Sequence, residues 1–130
     1  MLEVYEFLKS AGTYYLGTVD KDQPKLRPFG TIDLFEDKLY IQTGLKKDVA
    51  KQMLENPKIE ICTMHNGKWI RLTAKAIYDE RIEPQKHTLD NYPSLQRMYQ
   101  PGDGNNAVFY LKEVHAVINS FGEPSKEYNF

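Results

Sequence analysis

The chain has a single cysteine among its 130 residues, Cys62, so no disulfide closes within it, and a reducing compartment is expected. Cys62 lies in the strand-like run KIEICTM, where a buried, inert thiol is the expectation rather than a nucleophile. No stretch approaches the ~18 apolar residues of a membrane span. The opening Met1-Leu2-Glu3-Val4-Tyr5-Glu6 is acidic and lacks the apolar core of a signal peptide, so a soluble, cytoplasmic protein is expected. Neither sign of charge dominates. With 17 Lys and Arg against 18 Asp and Glu, the formal charge of -1 argues against a nucleic-acid or anionic-membrane partner. The three histidines, His65, His87 and His115, stand apart, with no CxxC, HxxxH or HExxH spacing, so no metal site is expected. There is no GxSxG elbow, no GxxxxGK[ST] loop and no GxGxxG fingerprint.

What is present is an ordinary globular composition, 41% hydrophobic and 12% aromatic, in a length suited to one domain spanning residues 1–130. Residues 2–11 put Val4, Leu8 and Ala11 on one helical face with Tyr5, and Gly12 stops the helix. The period then changes to two. Strands are predicted over Thr13 to Asp20, Lys25 to Phe35 and Lys38 to Thr43, joined by turns at Lys21-Asp22-Gln23 and Glu36-Asp37. Pro28 lacks the N–H of a ladder, so its strand lies at an edge, at a bulge, or facing something else. A helix follows from about Lys46 to Glu55, with Val49, Ala50 and Met53 inward, and Asn56-Pro57 ends it. Asn66-Gly67 joins a strand over Lys58 to His65 to another over Lys68 to Tyr78. In the latter, Trp69, Arg71, Thr73 and Lys75 share one face and Ile70, Leu72, Ala74 and Ala76 the other. Pro84 to Tyr99 is helical with an interruption at Tyr92-Pro93, and Ala107 to Leu111 and His115 to Phe121 are the last strands. The polar tail from Gly122 ends in Tyr128 and Phe130, which implies docking. Tight antiparallel turns with singly inserted helices predict a mainly β fold, a small antiparallel barrel with peripheral helices.

Charge is uneven along this frame. Residues 21–75 hold eleven Lys and Arg against seven Asp and Glu, and residues 76–130 hold five against eight. Within the basic half, Arg27-Pro28 sits on one strand and Gln42-Thr43-Gly44 ends another, with Lys46 and Lys47 at the start of a helix. A hydroxyl, free backbone N–H groups, a helix N-terminus and up to three cations can hold a phosphate. Taken singly, Lys46 and Lys47 read equally as solvated helix residues, whereas a mid-strand Arg27 needs a partner. Trp69 and Arg71, on one strand face, can frame a flat ring and hydrogen-bond its carbonyls, or simply cover the barrel mouth and make a surface ion pair.

In order and spacing, the segments TYYLGTVDKDQPKLRPFG, LYIQTGLKKDVAKQMLENPKIEIC, KWIRLTAKA and FYLKEVHAVINSF resemble the flavin-binding split-barrel proteins related to pyridoxamine 5′-phosphate oxidase. Within that family the chain resembles the short bacterial members labelled 5-nitroimidazole-resistance-like. The resemblance covers nearly the whole chain. It implies a split antiparallel β-barrel that forms a homodimer, with flavin mononucleotide (FMN) in the clefts between subunits. Carried over, Arg27, Pro28, Phe29 and Gly30 line the flavin, and Gln42 and Thr43 lie beside it. Lys46 and Lys47 take the basic phosphate position, Lys47 the stronger, and Trp69 and Arg71 approach the ring or ribityl chain.

Two departures stand out. Ala74 replaces a frequent glycine, and Phe121 to Phe130 contains no arginine of the kind with which pyridoxamine phosphate oxidases hold substrate. The resemblance therefore implies an FMN-dependent oxidoreductase acting on a small acceptor, such as a nitroaromatic or quinone, rather than vitamin B6 oxidation. No side chain need serve as acid or base, so no catalytic residue is assigned. Tyr92, Met98 and Tyr99 are candidates for the substrate wall. The competing readings are a non-catalytic flavin or haem binder, with one of the histidines as axial ligand, and a deazaflavin F420 reductase.

Overall fold

The computed structural model describes residues 1–130. Helix α1 (Leu2–Ala11) leads into β1 (Tyr14–Asp20), β2 (Gln23–Phe29), β3 (Asp33–Phe35) and β4 (Lys38–Gly44). Helix α2 (Asp48–Glu55) separates these from the hairpin of β5 (Lys58–His65) and β6 (Lys68–Asp79). Helix α3 (Ile82–Asn91) and a 3₁₀ helix (Pro93–Arg97) precede β7 (Asn106–Ser120) and β8 (Glu123–Asn129). All strand pairs are antiparallel, in the order β2-β1-β5-β6-β7-β4-β3, with β8 added to β7.

Alternation sets which residues are buried. Ile59, Ile61 and Thr63 of β5 and Ile70, Leu72, Ala74 and Ala76 of β6 point inward, as a period of two requires. All but Thr63 join Leu16, Ile41, Phe109, Leu111 and the inward faces of α1 (Val4, Leu8) and α2 (Val49, Ala50, Met53) in one core cluster. Each large apolar side chain in it contributes about 1.5–3 kcal/mol. The same alternation corrects the expectation for Cys62. It falls between Ile61 and Thr63 on the outward face and is exposed, not buried.

Four other local expectations are revised. The run Lys25 to Phe35 is not one strand, because Gly30, Thr31 and Ile32 leave the ladder between β2 and β3. Their polar groups bond side chains instead. The Tyr14 hydroxyl donates to the Thr31 carbonyl at 2.6 Å, and the Tyr92 hydroxyl bridges the Ile32 N–H and C=O at 3.0 Å each. Pro28 is indeed in an edge strand, since β2 pairs with β1 alone. Conversely, Ala107 to Phe121 is a single strand through Ser120, kinked where Glu113 takes a positive φ of 54° opposite the register shift at Thr73/Lys75. Helix α2 starts at Asp48 with Lys47 as its N-cap, two residues later than predicted. His65, which its place next to the Asn66-Gly67 turn predicts to be a solvated turn residue, instead meets the Phe7 ring edge-on at 6.1 Å. The tail docks, as expected, but as a strand: β8 pairs along β7, and Phe130 exchanges backbone hydrogen bonds with Val114.

One polar cluster ties β4, β6 and the start of α3 together. Asp79 accepts from the Tyr40 hydroxyl at 2.8 Å and from Arg81 at 2.9 and 3.1 Å, and Arg81 also pairs with Glu36 at 2.9 Å. Arg81, with help from Tyr40, holds the Asp79 carboxyl below the usual carboxylate range despite its burial. A depressed folded-state value stabilises the fold above the unfolded value, about 3.9, and that stability is lost as pH falls through the folded value. Asp79→Asn is therefore expected to lower the urea midpoint at pH 6 and to lower it much less at pH 3. An equal deficit at both pH values would contradict this linkage.

Candidate functional site

Where the chain leaves the ladder between β2 and β3, it opens a cavity of about 320 Å³. One side is Pro28, Phe29, Gly30 and Thr31, and the base is Gln42 and Thr43 at the end of β4, with Lys47 beyond them. The opposite wall is Tyr92, Ser94, Leu95, Met98 and Tyr99, from the 3₁₀ segment and its flanks. The base is held rigidly. Thr31 Oγ1 accepts from the Gln42 N–H at 3.0 Å, and the Gln42 side chain donates to Asn106 Oδ1 at 2.8 Å. At the end of β4, Gly44 gives Tyr99 room to approach. A Cβ on Gly44 would stand 2.9 Å from the Tyr99 hydroxyl, so the missing side chain lets Tyr99 pack against the strand end.

The structure thus gathers Pro28, Phe29, Gly30, Gln42, Thr43 and Lys47 with Tyr92, Met98 and Tyr99 around one space. Four other residues singled out in the sequence do not line it. Arg27 lies half-buried beside α2, and its guanidinium donates to Thr18 Oγ1 at 2.7 Å, Gln52 Oε1 at 2.8 Å and the carbonyls of Leu16 and Lys25 at 3.2 Å. All are neutral oxygens, so its charge is uncompensated by any of them. Burial lowers its proton affinity, with Asp48 opposing. Lys46 turns to the loop before β7, its N–H bonded to Asn105 Oδ1 at 3.1 Å. There burial alone would raise the Asp103 carboxyl, but the N–H groups of Asn106, Gln100 and Asn105, with the Lys46 charge, hold it below the usual range.

Trp69 and Arg71 face outward on the sheet, away from the cavity. Trp69 packs on Phe121 with ring centroids 5.0 Å apart, and Arg71 pairs with Glu60 at 3.6 Å. Arg71 instead lines a broad groove of about 1060 Å³ on the outer face of β2, β1, β5 and β6. Tyr15, Leu26, Cys62 and Met64 line the same groove. It is larger than the cavity, and its polar lining is the Arg71–Glu60 pair, Lys58 and three threonines. Within one chain, the two groups of residues linked by the family resemblance stay apart.

Several contributors had no signal in the sequence. Thr31, Ser94 and Leu95 line the cavity, Thr18 and Gln52 hold Arg27, and Tyr14 fixes the Thr31 carbonyl. Of these, Thr31 follows the Arg27–Gly30 segment, Ser94 and Leu95 lie between Tyr92 and Met98, and Gln52 is one turn into α2, so all four adjoined residues already of interest.

The sequence pattern of the pyridoxamine 5′-phosphate oxidase family matches residues 2–111. The chain belongs to this family, and its mainly β architecture is the family's split barrel. Among solved structures, a NimC/NimA family protein from Clostridium acetobutylicum is 40% identical, with a TM-score of 0.97, over 100% of this chain and 92% of that one. General stress protein 26 from Bacillus anthracis superposes with a TM-score of 0.70 at 17% identity, over 97% of this chain and 99% of that one. A heme binding protein from Mycobacterium smegmatis shares the fold at 11% identity, with a TM-score of 0.72, over 98% of this chain and 56% of that one. No curated protein matches the chain significantly. No helix is long and apolar enough to cross a membrane.

Proposed function

We propose that this protein is a homodimeric, cytoplasmic FMN-binding oxidoreductase that reduces a small acceptor such as a nitroaromatic or quinone. The observation that carries the reading is the cavity itself. It sets the backbone of Pro28–Thr31 and the polar end of β4 against an aromatic wall, with Lys47 at the mouth of α2. The N-terminus of α2 has no side-chain cap, so its first N–H groups and dipole are free to meet an anion. Arg27, bonded only to neutral oxygens beside the same helix, supplies a second positive charge. These residues fit a phosphate attached to a flat ring. Lys47, Arg27 and the α2 terminus would hold the phosphate, and Pro28–Gly30, Gln42 and Thr43 would border the rest.

Bound FMN supplies the electron transfer, and the protein supplies binding, orientation and electrostatics. The chain's own part is to border the cofactor with Tyr92, Leu95, Met98 and Tyr99, which limit water on that side. A second copy of the chain accounts for the outward residues. Laid on the apolar groove, it would bring Arg71 and Trp69 toward the partner's cavity, where a guanidinium stabilises charge on a reduced ring. The 40% identity to a NimC/NimA family protein supports the reductase class over vitamin B6 oxidation. Residues 121–130 contain no arginine, and most of them are committed to β8.

Haem finds less support. His87 binds Asp33, His115 binds Asn129, His65 packs on Phe7, and none lines the cavity. Deazaflavin F420 carries a longer acidic tail, and Lys47 is the one cation lining the cavity. The absorption spectrum of the purified protein is expected to show the flavin band pair. A Soret band, or a colourless protein that FMN fails to reconstitute, would overturn the reading.

A further inference from the structure

Asp33 has an unusual position for a carboxylate, at 1% exposure on the inward side of β3. Burying a charge costs several kcal/mol unless donors surround it. Its side-chain donors all come from α3: His87 Nδ1 at 2.7 Å and Thr88 Oγ1 at 3.0 Å on one oxygen, and Asn91 Nδ2 at 2.7 Å on the other. Carboxylate oxygens only accept, so His87 carries its proton on Nδ1. The Phe35 ring packs against the same imidazole at 4.7 Å. Apolar burial of Leu89 attaches the helix to the core without specifying its register, whereas a fan of three hydrogen bonds to one carboxylate does specify it.

Both ends of this anchor adjoin the cavity. Ile32, immediately before Asp33, is bridged by the Tyr92 hydroxyl, and Asn91 is the last residue of α3 before Tyr92. The wall beyond belongs to no sheet ladder. Apart from the Tyr92–Ile32 bridge and the packing of Tyr99 on Gly44, its ties run back to α3: the Gln96 side chain donates to the Leu89 carbonyl, and the Gly102 N–H that follows the wall donates to Gln85. The placement of α3 therefore helps to set the placement of the wall. We propose that Asp33 is a positioning residue for the cavity, fixing α3, and through it the Tyr92–Tyr99 wall, against Gly30–Ile32. Only its consequence for cofactor affinity rests on the FMN reading.

Two variants test this. Asp33→Leu removes the shared acceptor and leaves the buried Thr88 hydroxyl without its partner, so some loss of stability accompanies it. Asn91→Ala removes one 2.7 Å bond from an exposed residue and keeps the test decisive if Asp33→Leu fails to fold. Amide exchange at Leu95, Met98 and Tyr99, whose N–H groups bond within the wall, should accelerate roughly tenfold or more while β5 and β6 keep their protection. In the folded variants, FMN and riboflavin affinities should fall by the same factor, about tenfold for Asp33→Leu and less for Asn91→Ala. Unchanged exchange at these three amides in a folded variant overturns the proposal, as does a loss confined to FMN. If the parent protein binds no flavin, the FMN reading falls alone and the exchange result still decides the role of Asp33.

Discussion

Replacing Arg27 and Lys47 together with alanine is expected to weaken FMN binding by roughly 30- to 1000-fold and riboflavin binding by less than about threefold. Charge-assisted hydrogen bonds contribute about 1.5–3 kcal/mol each, and the exposure of Lys47 discounts its share, leaving about 2–4 kcal/mol for the pair. Riboflavin lacks the phosphate and so reports everything else the substitutions disturb. The control is needed because Arg27 also braces the fold, joining β2 to β1 through Thr18 and to α2 through Gln52. The Thr18–Gln52 hydrogen bond at 2.6 Å remains in the variant and keeps α2 seated. Lys47→Ala alone, at an exposed N-cap, should shift the FMN to riboflavin ratio without lowering the thermal midpoint. Isothermal titration of both ligands is the measurement. Equal losses for FMN and riboflavin would mean that these cations do not hold a phosphate.

Charging the outer groove is expected to have the second large effect. Leu26 is 76% exposed and Met64 is 65% exposed on the free chain, so glutamate at either site would change the stability of a monomer by only about 0.5 kcal/mol. In a dimer built on this face, Leu26→Glu with Met64→Glu places two like charges per subunit in an apolar interface. Light scattering after size-exclusion chromatography should then show the mass halve. FMN should be lost with it, because Trp69 and Arg71 reach a cavity only from a second subunit in this reading. A parent protein that is monomeric at micromolar concentration would sink the dimer and leave the groove unexplained. A variant that stays dimeric would move the interface to another face.

The two predictions lean on different kinds of knowledge. That β6 divides into an inner face of Ile70, Leu72, Ala74 and Ala76 and an outer one of Trp69 and Arg71 follows from a period of two, and the burial pattern matches it. The Asn66-Gly67 hairpin needed only two residues with positive φ, and both have it, at 50° and 73°. Local chemistry failed where long-range partners replaced it. Nothing near Gly30 announces that Thr31 and Ile32 abandon the ladder, because the tyrosine hydroxyls that satisfy them lie 17 and 60 residues away. Cys62 was misjudged for a simpler reason. It shares its strand face with Lys58 and Glu60, so the period of two already pointed it outward.

Alone, then, the amino-acid sequence determined the mainly β class, the family and the inner and outer faces of the central hairpin, and it nominated the chain segments proposed here to hold an anion. Those properties depend on periods of two and 3.6, on turn residues and on the order of segments, all of which are local. Tertiary structure decided which residues of those segments meet. The start of α2 at Asp48 leaves Lys47 at the cavity and turns Lys46 toward Asp103. The register of the sheet sends Arg71 to the outer groove. A buried carboxylate on β3 selects the helix that closes the cavity, across more than fifty residues of chain. Convergence of this kind is set by packing and by satisfying buried polar groups, and neither leaves a local period to read.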